Sequence, residues 1–176
     1  TVGTPTRRIN NEADLTSIME VAEEIAENIN SYCVVVTKST VPPGTTNDVK
    51  DIIKSKVLSE NFDVVSNPEF LKEGSAINDF MQPDRVVIGA DSEKPKTIIK
   101  NLYKNLNLKE NSFFLTTIES SEIIKYASNS FLATKIAFIN QVSDLCEKVG
   151  ANIQDVSRGM GLDKRIGAKF LEAGPG

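Results

Sequence analysis

The chain has 176 residues, of which 40% are hydrophobic and 25% are charged, and its formal net charge is −4. This composition is typical of a folded globular protein and excludes a mainly disordered or collagen-like chain. The sequence contains no histidine, which excludes Ser-His and Cys-His nucleophile pairs and histidine-ligated metal sites within it. The excess of acidic residues disfavours a general nucleic-acid binder. We therefore expect neither a metal ion nor a nucleic-acid partner.

The cysteine content and the apolar patterning bear on the cellular compartment. The two cysteines, Cys33 and Cys146, are too few for a disulfide scaffold and fit a reducing compartment. No apolar run approaches the roughly 20 residues that span a membrane, and the first residues lack the pattern of a signal peptide. We expect a cytoplasmic protein with no membrane partner.

An amphipathic helix and a strand are predicted first. Apolar residues recur at i, i+3, i+4 and i+7 from about 15 to 29, which predicts a helix that Asn10 or Asn11 can cap. The β-branched run over 32–37 has no alternation, which is typical of a strand buried on both faces.

Further elements alternate along the chain. A Pro-Pro-Gly turn precedes a predicted helix near 47–57, with Thr45, Thr46 and Asn47 as its candidate caps. Later elements are predicted as strands at 62–65, 85–89 and 113–115 and as a helix at 94–105. Strands that alternate with helices indicate an α/β fold with a mostly parallel sheet.

The segment 119–149 contains neither Gly nor Pro and predicts one long helix. Glu119 suits its N-terminal end, and Gly150 is a good residue just after its C-terminal end. Its apolar residues occupy more than one narrow stripe, so the helix must be covered on several sides as a domain connector or a subunit interface. A shorter helix is predicted at 152–160. Both ends of the chain resemble cut ends, and we expect a fragment of a longer protein.

The segment Asn67-Pro68-Glu69-Phe70-Leu71-Lys72-Glu73-Gly74 directly follows the second predicted strand. Asn67 is a good N-cap, Pro68 fits the first helical position, and Glu69 suits the first turn. This local chemistry is complete without any function. Glu69 and Glu73 would also lie one turn apart on one helix face, at the sheet edge where ligands bind in open α/β folds.

Two other segments could carry chemistry. Ser39–Thr45 follows the first strand, and it is either a turn that caps a helix or a loop whose hydroxyls face a cofactor. Lys125 and Asn129 are at i, i+4 and could stabilise an oxyanion together, or they could simply face solvent. Gly159-Met160-Gly161 is not a dinucleotide-binding fingerprint, because Lys164 occupies the third glycine position.

Six segments in a fixed order resemble the UDP-glucose/GDP-mannose dehydrogenase family. They are V-G-T-P-T (2–6), K-S-T-V-P-P-G-T (38–45), S-N-P-E-F-L-K-E-G-S-A (66–76), P-D-R-V-V-I-G (83–89), E-I-I-K-Y-A-S-N (122–129) and G-L-D-K-R-I-G (161–167). The resemblance implies that 1–118 is the second half of a Rossmann-like NAD-binding domain. It implies that 119–149 is a connecting helix through which a homodimer forms, and that 150–176 begins an all-α central domain.

The resemblance also implies an activity. Members of the family use NAD to oxidise a nucleotide-linked sugar in two steps through a cysteine thioester. The segments at 83–89 and 133–140 favour the branch that converts UDP-glucose to UDP-glucuronate. The family's catalytic cysteine and its Gly-rich dinucleotide loop are not in this chain, so we expect the chain alone to be inactive. The alternatives are a dehydrogenase for UDP-N-acetylmannosamine or GDP-mannose, and a non-enzymatic α/β dimerisation module.

Residue roles follow from the resemblance position by position. It implies that Lys125 and Asn129 stabilise oxyanions, that Glu69 serves in general-base chemistry and hydrolysis, and that Thr40 helps to position water near the nicotinamide. The implied cofactor residues are Thr4, Pro5, Ser39, Thr40 and Glu73. The implied substrate residues are Glu69, Phe70, Leu71, Lys72, Lys125, Asn129 and Arg165, the last of which reaches the site of the partner subunit. The family often has a small aliphatic residue in place of Pro43 and an arginine in place of Lys72, which puts side-chain roles there in doubt.

Overall fold

A computed structural model describes residues 2–5, 13–58 and 61–175. Two compact units make up the chain, one ending at Tyr126 and the other beginning at Ala127. The strands are β1 (Cys33–Thr37), β2 (Phe62–Ser66), β3 (Val86–Gly89) and β4 (Phe113–Thr116). The α-helices within the described ranges are α1 (Thr16–Asn28), α2 (Thr45–Lys54), α3 (Ala76–Met81), α4 (Glu93–Leu102), α5 (Ile118–Val149) and α6 (Ile153–Gly161).

Most predicted elements are confirmed within a few residues, and α3 is the helix that the sequence did not predict. None of the six residues of α3 is buried, and a helix of fewer than two turns is too short for its apolar residues to establish a helical period. The expected caps of α1, Asn10 and Asn11, lie outside the described residues. The N–H of Thr16 instead bonds to Oδ1 of Asp14 at 3.1 Å.

The four-stranded sheet has the order β1-β2-β3-β4. The neighbours β1 and β2 are parallel, as are β3 and β4, which confirms the mostly parallel sheet. The exception is the pair β2 and β3, which run antiparallel and are joined through Ser66 and Gly89. Strand β1 lies at the edge of the described sheet with all five residues partly exposed, so the predicted burial of both its faces is wrong.

Two apolar clusters cover the sheet of the first unit. The first contains Ala22 and Ala26 of α1, Val49 and Ile53 of α2, Phe62 and Val64 of β2, and Ile118 of α5. The second contains Val65, Val86, Ile88, Ala90 and Ile99. Since successive side chains of a strand point to opposite faces, Val64 and Val65 mark the two buried faces of β2. Both faces of the sheet are therefore packed, and its carboxyl-end loops remain available for a site.

The beginning of α5 is fixed against the ends of β2 and β3. A Cβ atom at Gly89 would lie 2.5 Å from both Ser121 Cβ and the carbonyl oxygen of Thr117, so only glycine allows this close approach. The hydroxyl of Ser121 donates to the carbonyl oxygen of Ser66 at 3.1 Å. The helix therefore starts at a defined distance from the strand ends, which places Lys125 one turn further along.

The second unit contains the remainder of α5, helix α6 and the C-terminal segment. Asn140 bonds through its side chain to both main-chain groups of Gly174, at 2.9 and 2.8 Å. Asn152 caps α6 by accepting from the N–H of Gln154 at 2.8 Å. Gly150 ends α5 with φ of +74°, which confirms its predicted place after the helix. Although α5 has 32 residues, no helix of the described part is apolar enough over sufficient length to cross a membrane.

Candidate functional site

The segment after β2 is a loop and not the start of a helix. Residues 67–72 have no helical structure, and the next helix begins at Ala76. The predicted helix with Asn67 as N-cap and Glu69 and Glu73 on one face is therefore wrong. The N–H of Asn67 bonds to the carbonyl oxygen of Thr37 at 3.0 Å, which extends the pairing of β1 and β2 by one residue.

The side chain of Asn67 is occupied by partners from distant parts of the chain. Its Nδ2 donates to the carbonyl oxygen of Val87 at 2.7 Å, and its Oδ1 accepts from the Tyr103 hydroxyl at 2.6 Å. Lys38 Nζ lies 3.4 Å from the same Oδ1 and 3.2 Å from the Tyr103 hydroxyl. Asn67 is only 3% exposed, so this network fixes the start of the loop that carries Glu69.

Replacing Asn67 with alanine is expected to destabilise the fold by about 2–4 kcal/mol, because it leaves buried partners such as the Val87 carbonyl unsatisfied. The change in the free energy of unfolding is measured by urea denaturation of the wild-type protein and the variant. The control is Asn101→Ala at an exposed position of α4, which should alter it by less than about 0.5 kcal/mol. Equal effects of the two substitutions would contradict the assigned role of Asn67.

An ion pair joins the loop to α5. Lys125 Nζ lies 3.3 Å from Glu69 Oε1, and the side chains are 6% and 33% exposed, respectively. Glu69 Oε2 also accepts from the N–H of Leu71 at 2.6 Å. A buried ammonium group requires such a partner, and the two contacts fix both oxygens of Glu69. The arrangement places one cation and one partly solvated carboxylate at the carboxyl end of β2.

The aromatic ring of Phe70 lies beside two cations, Lys125 and Arg85. The ring centroid of Phe70 is 5.1 Å from Lys125 Nζ and 3.9 Å from the guanidinium carbon of Arg85. Cations are stabilised over aromatic faces at these distances. Arg85 was not among the predicted site residues, and its only sequence signal is its position before β3 in P-D-R-V-V-I-G. The loop therefore presents Glu69 and Phe70 next to Lys125, while Leu71 and Glu73 are exposed.

The far end of the loop is held by Asp79. This carboxylate accepts from the N–H of Lys72 at 2.9 Å and from the Ser75 hydroxyl at 2.8 Å, and it pairs with Lys72 Nζ at 3.1 Å. The bond from the Lys72 N–H, with the other contacts to Lys72 and Ser75, lowers the pKa of Asp79 below 3.8. Gly74 completes the turn with φ of +81°. Asp79 was missed because it acts on a loop seven residues earlier.

The lowered pKa of Asp79 predicts a pH dependence for this loop. A carboxylate whose pKa is depressed by folding stabilises the folded state above its ordinary pKa and ceases to do so as the pH falls through the folded pKa. We expect amide exchange at Lys72, corrected for the intrinsic rate, to stay slow down to a pH of about 4 and to accelerate only below the usual value of 3.8. Asp79→Asn should accelerate it at neutral pH. Acceleration of the wild type already near pH 6 would contradict this prediction.

The segment 2–5 lies beside the loop after β1. Thr4 Oγ1 donates to the carbonyl oxygen of Thr40, and Ser39 Oγ donates to the carbonyl oxygen of Val2, both at 3.4 Å. The structure thus brings together Thr4, Ser39 and Thr40, while Pro5 is exposed. These neutral hydroxyl and main-chain groups lie after the carboxyl end of a parallel strand. Ligands bind at this edge of open α/β sheets, and these groups can donate and accept hydrogen bonds there.

The N-terminus of α2 is capped from another helix. The cap position is Gly44 with φ of +100°, and no side chain from 45–47 caps the helix, so those predicted caps are wrong. The buried carboxylate of Glu122 on α5 accepts from the N–H groups of Gly44 at 2.6 Å and of Thr46 at 2.8 Å. Asn47 instead donates through Nδ2 to Glu119 at 2.8 Å.

Asn129 and Arg165 belong to the second unit. Asn129 is exposed on α5. Arg165 is 89% exposed and bonds to Asp163 through two nitrogens, with Nη2 at 2.7 Å from Oδ2. The segment Gly159–Gly161 lies at the end of α6 and forms no loop after a strand, as the sequence predicted.

The layered sheet and its carboxyl-end loops define an α/β protein with the Rossmann-like fold of NAD-binding dehydrogenases. Residues 1–107 match the NAD-binding domain of the UDP-glucose/GDP-mannose dehydrogenase family, and residues 119–176 match the central domain of the same family. The chain belongs to the UDP-glucose/GDP-mannose dehydrogenase family. The resemblance seen in the six sequence segments is thereby confirmed, as is the predicted NAD-binding fold.

Two UDP-glucose 6-dehydrogenases are similar to nearly the whole length of this chain. A UDP-glucose 6-dehydrogenase of Rhizobium meliloti (strain 1021) is 54% identical over 177 residues, which cover 99% of this chain and 40% of the relative. UDP-glucose 6-dehydrogenase TuaD of Bacillus subtilis (strain 168) is 51% identical over 99% of this chain and 37% of its own length. The chain therefore spans about 40% of the length of such relatives.

Solved structures share the fold. A UDP-glucose dehydrogenase from the hyperthermophilic archaeon Pyrobaculum islandicum has a TM-score of 0.91 and 40% identity, over 99% of this chain and 40% of that one. A GDP-mannose dehydrogenase from Pseudomonas aeruginosa has a TM-score of 0.84 and 32% identity, over 93% of this chain and 38% of that one.

Proposed function

We propose that this chain is part of an NAD-dependent UDP-glucose 6-dehydrogenase, which oxidises UDP-glucose to UDP-glucuronate in two steps through a cysteine thioester. The observation that carries the proposal is the ion pair of Glu69 and Lys125, 3.3 Å apart, which joins two of the segments that resemble the family. The two named relatives above, at 54% and 51% identity, support UDP-glucose as the sugar nucleotide. When bound, NAD accepts a hydride in each oxidation.

The reacting carbon would lie beside Lys125. The Lys125 side chain is 6% exposed, and its ammonium group lies 5.1 Å from the Phe70 ring centroid. The charge therefore acts in a region with little water, where it stabilises a developing oxyanion strongly. We assign Asn129 to the same oxyanion as a hydrogen-bond donor. Glu69 is partly solvated and is assigned to general-base chemistry on the water that hydrolyses the thioester.

The cofactor and substrate contacts are assigned to the loops at the sheet edge. Hydroxyl and main-chain groups of the loops after β1 and around 2–5 would hold the nicotinamide ribose, with the Thr40 hydroxyl orienting water nearby. The complete cofactor set is Thr4, Pro5, Ser39, Thr40 and Glu73. Along the substrate we assign Phe70, Leu71 and Lys72, with Arg165 reaching the substrate site of a partner subunit.

The test of the function is NADH formation by the complete protein encoded by the reading frame that contains this chain. With UDP-glucose and NAD, we expect about two NADH per UDP-glucose. Turnover of UDP-N-acetylmannosamine or GDP-mannose instead would keep the chemistry and change the substrate. No turnover with any of the three would overturn the proposal and favour a binding module. The 176-residue chain alone should form no NADH, because Cys33 lies in β1 and Cys146 is buried.

We also propose a homodimer that forms through residues 119–149. An exposed apolar stripe supports it: Phe131, Phe138 and Leu145 recur at seven-residue intervals on α5 and are 49–65% exposed. Such spacing places side chains along one helix face, and an exposed stripe of this kind marks an interaction surface.

Phe138→Glu is expected to convert this dimer to a monomer, because it places a charge in the middle of the apolar stripe. Sedimentation equilibrium of the complete protein measures the mass. The control is Ala133→Glu, which introduces the same negative charge at an exposed position on the opposite face of the same helix and should leave the dimer intact. A wild-type monomer, or a dimer insensitive to Phe138→Glu, would contradict the proposed interface.

The remaining assignments concern organisation and location. We propose that 1–118 is part of the NAD-binding domain, that 119–149 connects the domains, and that 150–176 begins the helical central domain. The two family matches, at 1–107 and 119–176, support this division. A cytoplasmic location is proposed from the two free cysteines, Cys33 and Cys146.

A further inference from the structure

The N-terminus of α2 lacks a cap from its own segment. The first N–H groups of a helix have no partner within the helix and need an acceptor from elsewhere. The cap residue Gly44 has no side chain, and Thr45 directs its hydroxyl back to the carbonyl oxygen of Pro42 at 2.7 Å. The acceptor must therefore come from another element.

Glu122 supplies this acceptor from 78 residues away. Its Oε2 accepts from the N–H of Gly44 at 2.6 Å, and its Oε1 accepts from the N–H of Thr46 at 2.8 Å. The residue is 2% exposed, so water competes little for these bonds. The carboxylate also lies at the positive end of the α2 dipole, which strengthens the contact.

The contact connects the two elements that carry different parts of the proposed site. On one side, the loop that contains Thr40 ends at Gly44, where α2 begins. On the other side, Glu122 precedes Lys125 by three residues, so both lie on one face of α5. The neighbouring Ser121 is bonded to Ser66 at the end of β2. A change at Glu122 would therefore shift the Thr40 loop relative to Lys125.

We propose that Glu122 is a positioning residue, which holds the Thr40 loop at the distance from Lys125 that the reaction requires. This inference rests on the proposed function. The carboxylate of Glu122 bonds to the main chain of Gly44 and Thr46, and neither of these residues is assigned to the cofactor or to the substrate. Glu122 therefore acts on the site only through the position of the loop. Its effect should therefore appear in kcat more than in the binding of either ligand.

Glu122→Gln in the complete protein tests the proposal. Glutamine keeps the size, but its NH2 group cannot accept the second N–H bond. We expect kcat per titrated active site to fall at least tenfold while KM for UDP-glucose and NAD changes less than threefold. The matched control is Glu119→Gln, one turn earlier on α5, whose carboxylate bonds to its own N–H and to the side chains of Asn47 and Thr117, and which should change kcat less than twofold. A Glu122→Gln kcat within twofold of the wild type, or an equal loss in both variants, would overturn the proposal.

Hydrogen exchange provides a readout that does not depend on activity. The amide hydrogens of Gly44 and Thr46 should exchange slowly in the wild type and at least tenfold faster in Glu122→Gln, while that of Ile53 in the same helix stays protected. If the variant does not accumulate as folded protein, the wild type decides: fast exchange at Gly44 and Thr46 overturns the proposal and slow exchange supports it. If the wild-type protein does not turn over, the proposed function is overturned. The exchange experiment still tests the contact of Glu122 with Gly44 and Thr46, because it does not depend on activity.

Discussion

Replacing Lys125 with methionine is expected to lower kcat of the complete protein by about 10²–10³-fold, the usual effect of removing one group that stabilises an oxyanion. Methionine has a similar length and is apolar, so it fits a side-chain position that is only 6% exposed. Glu69 loses its cation but stays partly solvated at 33% exposure, which limits the destabilisation that an unpaired charge would cause. The loss should therefore be chemical and not a loss of folding.

Steady-state kinetics with UDP-glucose and NAD measures this effect. Because the interaction is proposed to form mainly in the transition state, kcat and kcat/KM should fall together. The control is Lys56→Met, which removes a lysine that pairs with Glu27 at 2.9 Å on the surface and should keep kcat within twofold. Retention of more than a third of the wild-type kcat by Lys125→Met would show that the ammonium group is not needed for the chemistry.

The elements with strong periodicity could be predicted from the sequence, whereas the caps could not. The apolar repeat of α1, the β-branched run of β1 and the uninterrupted segment of α5 were each sufficient for their assignment. Asn67 has the local signature of a helix cap, but its partners Val87 and Tyr103 lie 20 and 36 residues away. Those partners occupy both the Nδ2 and the Oδ1 of the side chain, so the side chain does not cap a helix there. A local pattern cannot predict such a contact, because it depends on the order of the strands.

At the site too, the position of a residue along the chain could be predicted, whereas its contacts with distant residues could not. The position of Glu69 after β2 follows from the strand prediction, and strand order then places it at the carboxyl edge of the sheet. Its contact with Lys125, 56 residues later, depends on how α5 packs against β2 and β3. That packing requires Gly89, where a side chain would meet Ser121. Neither residue has a sequence signal that identifies the other as its neighbour.

Replacing Glu69 with glutamine is expected to lower the steady-state kcat by about 10²–10⁴-fold, the range for loss of a general acid or base. The amide oxygen of glutamine can still accept from the N–H of Leu71, which Glu69 bonds at 2.6 Å, so the loop should keep its shape. What the variant loses is a carboxylate that can take a proton from water. If Glu69 acts in hydrolysis of the thioester, both oxidations can still proceed before the reaction stalls.

The expected signature is a burst of about two NADH per active site, one from each oxidation, followed by slow turnover. Stopped-flow measurement of NADH and mass spectrometry of the intact protein detect the burst and the acylated protein. The control is Glu93→Gln on the exposed face of α4, where the carboxylate pairs with Lys96 at 3.0 Å and no effect on kcat is expected. Slow turnover without a burst would assign Glu69 to an earlier step. If Glu69→Gln turns over at the wild-type rate, Glu69 has no role in the mechanism. Its carboxylate would then serve only to neutralise the buried ammonium group of Lys125.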